Sequence, residues 1–426
     1  MNSCVVIGGG VAGIQASMDL ANKNIHVTII EREPSIGGHM AMLDKTFPTN
    51  DCSMCILSPK MAEVARNKNI TLITMADVER IDGKAGDFTI TVKKHPRYIK
   101  ENDCTGCGEC VDICPVEVYN KFDAGIGVRH AIYKPHAQVI PNLVVRDKDH
   151  CINCGLCFDI CGKKAILRNE EDEEKTLTLK TEAVIIATGY TLFDAKNKSQ
   201  FGYMRYADVI TSLEFERMIN AGGPTKGELR RISNGEIPKS IVFVQCVGSR
   251  DLTLGRNYCS CVCCMYAMKN AMLIREHYPE TEVSILYNDV RAYGKGYEEY
   301  YERAKKLGVV FLRSFPGEVE KAEDKLILPV ENTETGEFQR LEADLVVLSV
   351  GMSPEPNTVE LAKSLNIDLD KNNFLQPKDS YSPAITGIDG IFVAGTALAP
   401  KDIPDSVISG GAAAANAYHC IKGVKK

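Results

Sequence analysis

The chain has 426 residues, enough for two or three domains, and its 44% apolar and 25% charged residues exclude a disordered protein. A net charge of −6 without a basic block excludes a nucleic-acid or polybasic membrane surface, and no apolar run reaches the about 18 residues of a membrane-spanning helix. No export signal is evident, so we expect a cytoplasmic protein whose seventeen cysteines serve metal or redox chemistry.

The first predicted elements form a dinucleotide-binding fingerprint. A strand over residues 4–7 leads into Gly8, Gly10 and Gly13, which open a helix, and a second strand ends at Glu31, 18 residues after the last glycine. Such glycines let the backbone approach a pyrophosphate at the helix N-terminus, and the acid binds the ribose hydroxyls. A tight turn without a ligand is the alternative.

The residues after Glu31 resemble the two-dinucleotide-binding flavoproteins, whose first site holds FAD. Arg32 and a Gly-Gly turn follow the acid, and the segments 183–189 and 390–397 match the same family. The resemblance implies FAD, with NAD as the alternative, and Thr396 stands where the family usually has aspartate. A helix over 408–417 either presents its N-terminus to the flavin or packs as a core helix. The implied contact residues are Gly8, Gly10, Ala12, Gly13, Glu31, Arg32, Gly38, Thr188, Gly189, Gly395, Thr396 and Ser406.

Residues 95–174 are predicted to form an inserted ferredoxin-like domain with two [4Fe-4S] clusters. Three thiolates at two-residue intervals wrap a loop around one cluster, and a fourth, three residues on, ligates the other cluster. Structural zinc is the alternative, and residues 115–150 are expected to add a hairpin. The spacing assigns Cys104, Cys107, Cys110 and Cys161 to cluster one, and Cys151, Cys154, Cys157 and Cys114 to cluster two.

A second domain, over residues 237–344, is predicted to be nucleotide-binding-like but degenerate. The strand 241–244 runs into Gln245-Cys246-Val247-Gly248, which lacks the glycine pattern of an NAD(P)H site. Five thiols occur within 19 residues here. The FAD domain is assigned residues 1–94, 175–236 and 345–426. The predicted fold class is therefore α/β: a Rossmann-like FAD domain, a degenerate second domain and an inserted two-cluster domain.

The spacing Cys246-x12-Cys259-x3-Cys263-Cys264, together with the sequence 47–52, resembles the A subunit of heterodisulfide reductase. The resemblance spans nearly the whole chain and is to the short form, which includes the A subunit of quinone-interacting membrane-bound oxidoreductases. It implies an atypical third [4Fe-4S] cluster on Cys246, Cys259, Cys263 and Cys264, with Cys261 outside the motif. It also implies B- and C-type iron-sulfur subunits as partners and a homodimer within the complex.

Two further features are candidates for catalysis. The resemblance places Lys269, on a helix predicted over 265–275, near the flavin ring, where a cation favours reduction. A solvated helix face is the alternative for this lysine. Cys52 and Cys55 form a CxxC that is interpreted as a redox dithiol, as part of a cluster ligand set or as an inert pair.

The sequence thus predicts an oxidoreductase subunit that passes electrons between FAD and three [4Fe-4S] clusters in a multisubunit complex. Whether its flavin bifurcates electrons stays open. One alternative is a stand-alone NAD(P)H-dependent disulfide or sulfur reductase that uses Cys52 and Cys55. Another is a scaffold whose clusters only stabilise the fold. Neither nucleic-acid binding nor insertion into a membrane is expected.

Overall fold

A computed structural model of the chain describes residues 2–423. The strands are β1 (Ser3–Ile7), β2 (His26–Glu31), β3 (Ile70–Thr74), β4 (Ala76–Lys84), β5 (Asp87–Lys94), β6 (Glu117–Tyr119), β7 (Val128–His130), β8 (Ile132–Tyr133), β9 (Val145–Arg146), β10 (Lys175–Thr181), β11 (Ala183–Ile186), β12 (Tyr190–Leu192), β13 (Val209–Thr211), β14 (Ser240–Val247), β15 (Glu282–Tyr287), β16 (Val310–Arg313), β17 (Glu320–Ala322), β18 (Lys325–Asn332), β19 (Glu337–Ala343), β20 (Leu345–Val350), β21 (Met352–Pro354) and β22 (Ile391–Val393). The α-helices are α1 (Val11–Ala21), α2 (Ser53–Arg66), α3 (Glu109–Asp112), α4 (Leu156–Ile160), α5 (Ser212–Ile219), α6 (Cys263–His277), α7 (Tyr297–Lys306), α8 (Pro356–Leu365) and α9 (Ile403–Gly423).

The chain divides into two compact units. Unit 1 holds the described parts of Met1–Ala41, Met54–Tyr190 and Pro354–Lys426, and unit 2 holds Met42–Ser53 and Thr191–Ser353. The predicted limits of the FAD domain differ from this division, because they included residues 42–53, 191–236 and 345–353. Strand pairing explains the two longer segments: β20 lies between β13 and β14 in one parallel sheet, which belongs to unit 2.

Unit 1 is built on a parallel sheet with the strand order β22-β11-β1-β2-β3. Its central strands are almost continuous apolar runs, which suits a parallel sheet covered on both faces. Helices α1 and α9 approach each other so closely at Gly410 that a side chain there would not fit. A Cβ on Gly410 would lie 2.4 Å from the backbone oxygen of Ala12. This contact favours the core-packing interpretation of the predicted helix 408–417.

The segment 95–174 is inserted between two antiparallel strands of unit 1. Lys94 on β5 pairs with Lys175 on β10, so the two ends of the segment meet at its base. Asp172 holds this base together, because its Oδ2 accepts hydrogen bonds from Arg97 N (2.9 Å) and Tyr98 N (2.8 Å). Within the segment, β6 and β7 form the expected hairpin and β8 pairs with β9.

Unit 2 contains a second parallel sheet with the order β13-β20-β14-β15-β16, and β17, β18 and β19 form an antiparallel sheet of three strands. The segment 42–53 belongs to this unit through polar contacts. Arg217 donates to Met42 O (3.1 Å), and Tyr300 donates its hydroxyl to Asn50 Oδ1 (2.5 Å). Within residues 2–423, none of the helices is both long and apolar enough to cross a membrane.

Candidate cofactor and cluster sites

The loop between β1 and α1 uses its glycines in two different ways. Gly8 has φ +106°, and a Cβ there would lie 2.3 Å from Ala187 O; a Cβ on Gly13 would lie 2.0 Å from Gly8 O. These two glycines are required for packing. Gly10, in contrast, has open space where its Cβ would be, and the helix that follows has no side-chain cap. An open, uncapped helix N-terminus suits a phosphate group.

Glu31, at the end of β2, faces this loop. Its Oε2 accepts a hydrogen bond from Gly9 N (2.7 Å), and its Oε1 accepts one from Glu33 N (2.8 Å). Burial raises the pKa of Glu31 to about 7, and the two backbone hydrogen bonds oppose that rise. Each carboxylate oxygen can accept a second hydrogen bond. The acid therefore keeps capacity for two further hydrogen bonds, and its contact with the ribose stays a prediction.

The next two predicted contact residues behave differently from each other. A Cβ on Gly38 would lie 3.1 Å from Gly10 Cα, so the structure brings these two glycines together. The Arg32 guanidinium instead forms ion pairs with Asp77 (2.9 Å) and Glu355 (2.8 Å). Both of these partners are protein carboxylates.

The remaining predicted contacts come from the ends of β11 and β22. Thr358 donates its hydroxyl to Thr188 Oγ1 (2.5 Å), and a Cβ on Gly189 would lie 3.9 Å from Thr396 Oγ1. Thr396 and Ser406 are both buried. Gly395 lies against Ala12, since a Cβ on Gly395 would be 2.8 Å from the Cβ of Ala12. An open glycine loop, an uncapped helix, a carboxylate and buried hydroxyls make a donor and acceptor set that fits FAD.

A cavity in the inserted segment is lined by the four cysteines assigned to cluster two. Cys114 comes from the first motif, and Cys151, Cys154 and Cys157 come from the second. Burial is the main cause of the raised pKa of Cys157, and the other three thiols add to it. One cysteine of the first motif, Cys114, therefore lines the same cavity as three cysteines of the second motif. These residues fit an iron-sulfur cluster in number, type and grouping.

The cysteines assigned to cluster one also lie together. Burial raises the pKa of Cys110 to about 12, and the thiols that add to the rise are Cys104, Cys107, Cys157 and Cys161. Cys110 and Cys157 share a small apolar core inside the segment. Among residues 2–423, no three His, Cys, Asp or Glu side chains converge closely enough to hold one single metal ion. The four cysteine sulfurs that ligate a [4Fe-4S] cluster bind four different irons, so they lie farther apart than the ligands of one ion.

The third group of thiols lies at the carboxyl end of β14 and the start of α6. Cys246 has φ +62°, and burial raises its pKa to about 11, with Cys264 and Cys259 among the groups that add to the rise. Burial also raises the pKa of Cys263, and Cys246, Cys264 and Cys259 add to that rise. The structure thus brings together the four cysteines that the resemblance implied. Cys261 is close by as well, because its N–H donates to Cys259 Sγ (3.2 Å).

Lys269 lies in unit 2, on α6, and its side chain is not on a solvated helix face. It is 1% exposed and forms an ion pair with Glu216, which is 2% exposed. The solvated-face interpretation is therefore wrong, because the helix side that carries Lys269 packs against the rest of the unit. Glu216 also accepts a hydrogen bond from Asp44 N (3.0 Å). Sequence analysis missed Glu216, since nothing in its local pattern points to a lysine 53 positions later.

Cys52 and Cys55 are the remaining candidates. Both are disulfide-bonded, whereas the other fifteen cysteines are free. Cys55 is exposed in the first turn of α2, and Cys52 is half-buried. The redox interpretation of this CxxC stays a prediction.

Two solved structures with this architecture are thioredoxin reductases. Thioredoxin reductase from Lactococcus lactis aligns with 99% of this chain and 100% of its own, with a TM-score of 0.55 and 17% identity. Thioredoxin reductase from T. acidophilum aligns with 98% of both chains, with a TM-score of 0.54 and 14% identity. The predicted fold class is confirmed: this is a two-dinucleotide-binding α/β fold of the thioredoxin reductase type.

The chain belongs to the pyridine nucleotide-disulphide oxidoreductase family, which it matches over residues 2–106 and 150–415. Residues 88–166 match a 4Fe-4S dicluster domain. The chain therefore combines a redox domain of the FAD type with an iron-sulfur domain, and it is an oxidoreductase.

The relatives of this chain confirm the resemblance that its cysteines suggested. It is 52% identical, over 97% of its length, to the iron-sulfur A subunit of CoB--CoM heterodisulfide reductase from Methanocaldococcus jannaschii. It is 47% identical, over 99% of its length, to the A subunit of H(2):CoB-CoM heterodisulfide,ferredoxin reductase from Methanothermobacter marburgensis. The chain covers 63% and 64% of those two relatives, less than two thirds of their length.

Proposed function

We propose that this chain is the FAD- and iron-sulfur-containing electron-transfer subunit of a heterodisulfide-reductase-like complex. It is inferred to hold one FAD in unit 1, two [4Fe-4S] clusters in the segment 95–174 and a third cluster in unit 2. The observation that carries the proposal is the cavity shared by Cys114 and the three cysteines of the second motif. A set of four thiols drawn from two motifs is the arrangement that two-cluster ferredoxins require.

When bound, FAD takes up electron pairs and [4Fe-4S] clusters take up single electrons, so that together they couple two-electron to one-electron chemistry. The residues of the chain supply binding and position. Gly10 and the N-terminus of α1 would receive the pyrophosphate, and Glu31 would accept hydrogen bonds from the ribose. The hydroxyls of Thr396 and Ser406 are the polar groups available where the family usually has a carboxylate.

The third cluster is proposed on Cys246, Cys259, Cys263 and Cys264. Support comes from their place at the carboxyl end of a central parallel strand, where open α/β sheets bind their ligands. In this position Cys261 supports Cys259 through the bond from its N–H to the sulfur of Cys259. The lack of a glycine pattern after β14 further argues for thiol ligands here and against a nicotinamide.

The proposed partners are B- and C-type iron-sulfur subunits in the cytoplasm, with the chain itself as a homodimer within the complex. What supports this is that several relatives are named as A subunits of heterodisulfide reductases. Lys269 is proposed to lie near the flavin, and Glu216 would then hold its ammonium group in place.

The test compares two neighbouring cysteines in anaerobically purified protein. Cys264→Ser should lower the iron content by about four per chain, because one whole cluster is lost, and should slow reoxidation of the reduced flavin by a one-electron acceptor. Cys261→Ser is the matched control and should leave both quantities unchanged. Unchanged iron and unchanged reoxidation in Cys264→Ser would contradict the third cluster and its role.

A second candidate function is favoured by the disulfide bonding of Cys52 and Cys55. In this function the chain is a stand-alone NAD(P)H-dependent disulfide or sulfur reductase. Adding NADH or NADPH alone to the anaerobic protein distinguishes the two functions. We expect no bleaching of the flavin absorbance, because the loop after β14 lacks the phosphate-binding glycines. Rapid bleaching that is followed by reduction of the Cys52 and Cys55 pair would establish the second candidate instead.

A further inference from the structure

We infer that Arg97 and Ile140 of the inserted segment 95–174 are positioning residues for FAD. They hold the loop over residues 33–37, which joins Glu31 to Gly38 in the FAD site, and this support makes FAD binding depend on the iron-sulfur clusters of the segment. The inference rests on the proposed function, since it requires FAD and clusters in the same chain. It goes further by linking the two binding events through named contacts.

The 33–37 loop is fixed to the glycine loop that follows β1. Gly37 N donates to Gly9 O (2.8 Å), and Gly9 N donates in turn to Glu31 Oε2 (2.7 Å). Gly38, the next residue, is one of the glycines proposed to contact FAD. A displacement of the 33–37 loop would therefore disturb both Gly38 and the carboxylate of Glu31.

Arg97 attaches the start of the inserted segment to this loop. Its Nη2 donates to Pro34 O (3.2 Å) and to Thr74 Oγ1 (2.6 Å), and Thr74 is the last residue of β3. Within residues 2–423, its Nε and Nη1 have no hydrogen-bond partner. The side chain is 1% exposed, so these two bonds from a charged donor are shielded from water and are stronger than bonds between neutral groups.

Ile140 contacts the same loop through its backbone. Its N–H donates to Ser35 Oγ (2.9 Å), and its carbonyl oxygen accepts from Ile36 N (3.0 Å). Ser35 and Ile36 are both buried, and the Ile140 side chain packs against the apolar core that contains Ile36. A further contact joins Lys121 Nζ to Glu33 (2.7 Å), but this lysine is 85% exposed, so water screens the pair and it contributes little.

The segment that supplies these contacts has little regular structure of its own. Its helices α3 and α4 have four and five residues, and its strands β6 to β9 have two or three. Elements this short do not hold a fold together by themselves. Cys110 and Cys157, one ligand of each proposed cluster, are part of the apolar core of the segment. The clusters therefore complete its folding, as metal binding does in small metal-binding domains.

Ile140 is also joined directly to a cluster loop. Asn142, two residues further on, donates its Nδ2 to Thr105 O (3.3 Å), and a Cβ on Gly106 would lie 2.4 Å from Asn142 O. Thr105 and Gly106 lie between the first two cysteines of the first motif. Loss of the cluster on this motif would release the loop that holds Ile140 in place. Because such coupling is reciprocal, FAD should in turn stabilise the clusters.

The experiment measures the dissociation constant of FAD for anaerobically purified protein from which FAD has been removed, with its clusters and after a chelator has removed the iron. The natural protein should bind FAD about tenfold more weakly without iron, a size typical of coupling between two sites. Arg97→Met removes both hydrogen bonds of Nη2 and should weaken binding to a similar degree in the iron-loaded form. Arg97→Lys keeps a charged donor and should restore most of the affinity.

The iron-depleted form separates positioning from general stability. There the support of the loop is already lost, so Arg97→Met should have no further effect on the affinity for FAD. Ser35→Ala serves if Arg97→Met does not assemble its clusters, because Ser35 lies outside the segment and accepts the bond from Ile140 N. It should bring the two dissociation constants closer together. Lys121→Ala is the matched control, since it removes the exposed contact to the same loop, and it should leave their ratio unchanged.

The reciprocal measurement is the rate at which a chelator removes iron. FAD should slow this rate in the natural protein and much less in Ser35→Ala. Equal affinity for FAD with and without iron would overturn the inference. So would an Arg97→Met effect of the same size in both forms, or a Lys121→Ala effect as large as that of Ser35→Ala. A natural protein that contains its clusters but binds no FAD would instead refute the proposed function.

Discussion

The two parallel sheets share one strand pattern but end in different binding loops. In unit 1, β1 lies between β11 and β2, and in unit 2, β14 lies between β20 and β15. After β1 the chain turns through glycines directly into α1. In unit 2, β14 passes through Cys246, in a left-handed conformation, one residue before its end, and a loop over residues 248–262 follows before α6 begins. The loop after β1 leaves open space beside Gly10, whereas the region from Cys246 to the start of α6 contains five cysteines.

Under the proposed function, a few loop residues and not the strands specify the ligand of each sheet. Gly10 has open space beside it, whereas Gly248 has φ +77° and a Cβ there would lie 2.0 Å from the Phe193 ring. The first glycine leaves space for the proposed ligand, and the second serves packing. The four predictions below test this contrast between the two units.

Gly10→Val is expected to have the largest effect. Its side chain would occupy the open space beside the loop, so the purified protein should fold, keep its iron and contain no FAD. Measured flavin content and the thermal unfolding curve check this. Gly13→Ala is the control, because its Cβ would meet Gly8 O and should destabilise the fold itself, by about 1 to 3 kcal/mol. A Gly10→Val protein with full flavin content would show that the open space beside Gly10 does not receive FAD.

Glu216→Gln is the strongest test of unit 2 that does not involve a cluster. It leaves the buried ammonium of Lys269 without its counter-charge, which should lower the free energy of unfolding by about 3 to 5 kcal/mol. Denaturant titration measures this loss. The double variant Glu216→Gln with Lys269→Met should recover most of the stability. If Glu216→Gln alone is as stable as the natural protein, the ion pair of Glu216 with Lys269 does not stabilise α6.

Glu31→Gln tests the pH dependence of the glycine loop. Burial raises the pKa of Glu31 from 4.5 to about 7, so the folded chain binds this proton more tightly than the unfolded chain does. The contribution of Glu31 to stability is therefore present below about pH 4.5 and is lost as the pH rises to about 7. Denaturation midpoints after removal of FAD should fall less across this window in Glu31→Gln. Equal slopes for both proteins would contradict the shifted pKa.

Arg32→Ala is expected to have the smallest effect. Its ion pairs with Asp77 and Glu355 involve a side chain that is 40% exposed, so their loss should change the free energy of unfolding by no more than about 1 kcal/mol. The affinity for FAD, measured by titration, should stay the same if these pairs are the only role of Arg32. A tenfold weaker affinity would show that Arg32 also contacts FAD, as the sequence analysis predicted.

Features with a fixed spacing were predictable from the sequence. The glycine fingerprint with Glu31 and the two cysteine motifs depend on residues close together in the chain, and the structure brings their members together. Contacts between distant segments were not predictable. Glu216 meets Lys269 across 53 positions, and Arg146 reaches Asn169 across 23. The placement of β20 in unit 2 likewise follows from strand pairing, which no local pattern encodes.

The central claim is that thiolates of this chain ligate iron in the same molecule that binds a flavin. The most direct measurement is the iron, acid-labile sulfide, zinc and flavin content of protein purified without oxygen. We predict about twelve iron and about twelve sulfide per chain, as three [4Fe-4S] clusters require, with about one FAD. Zinc in place of iron and sulfide would contradict the account.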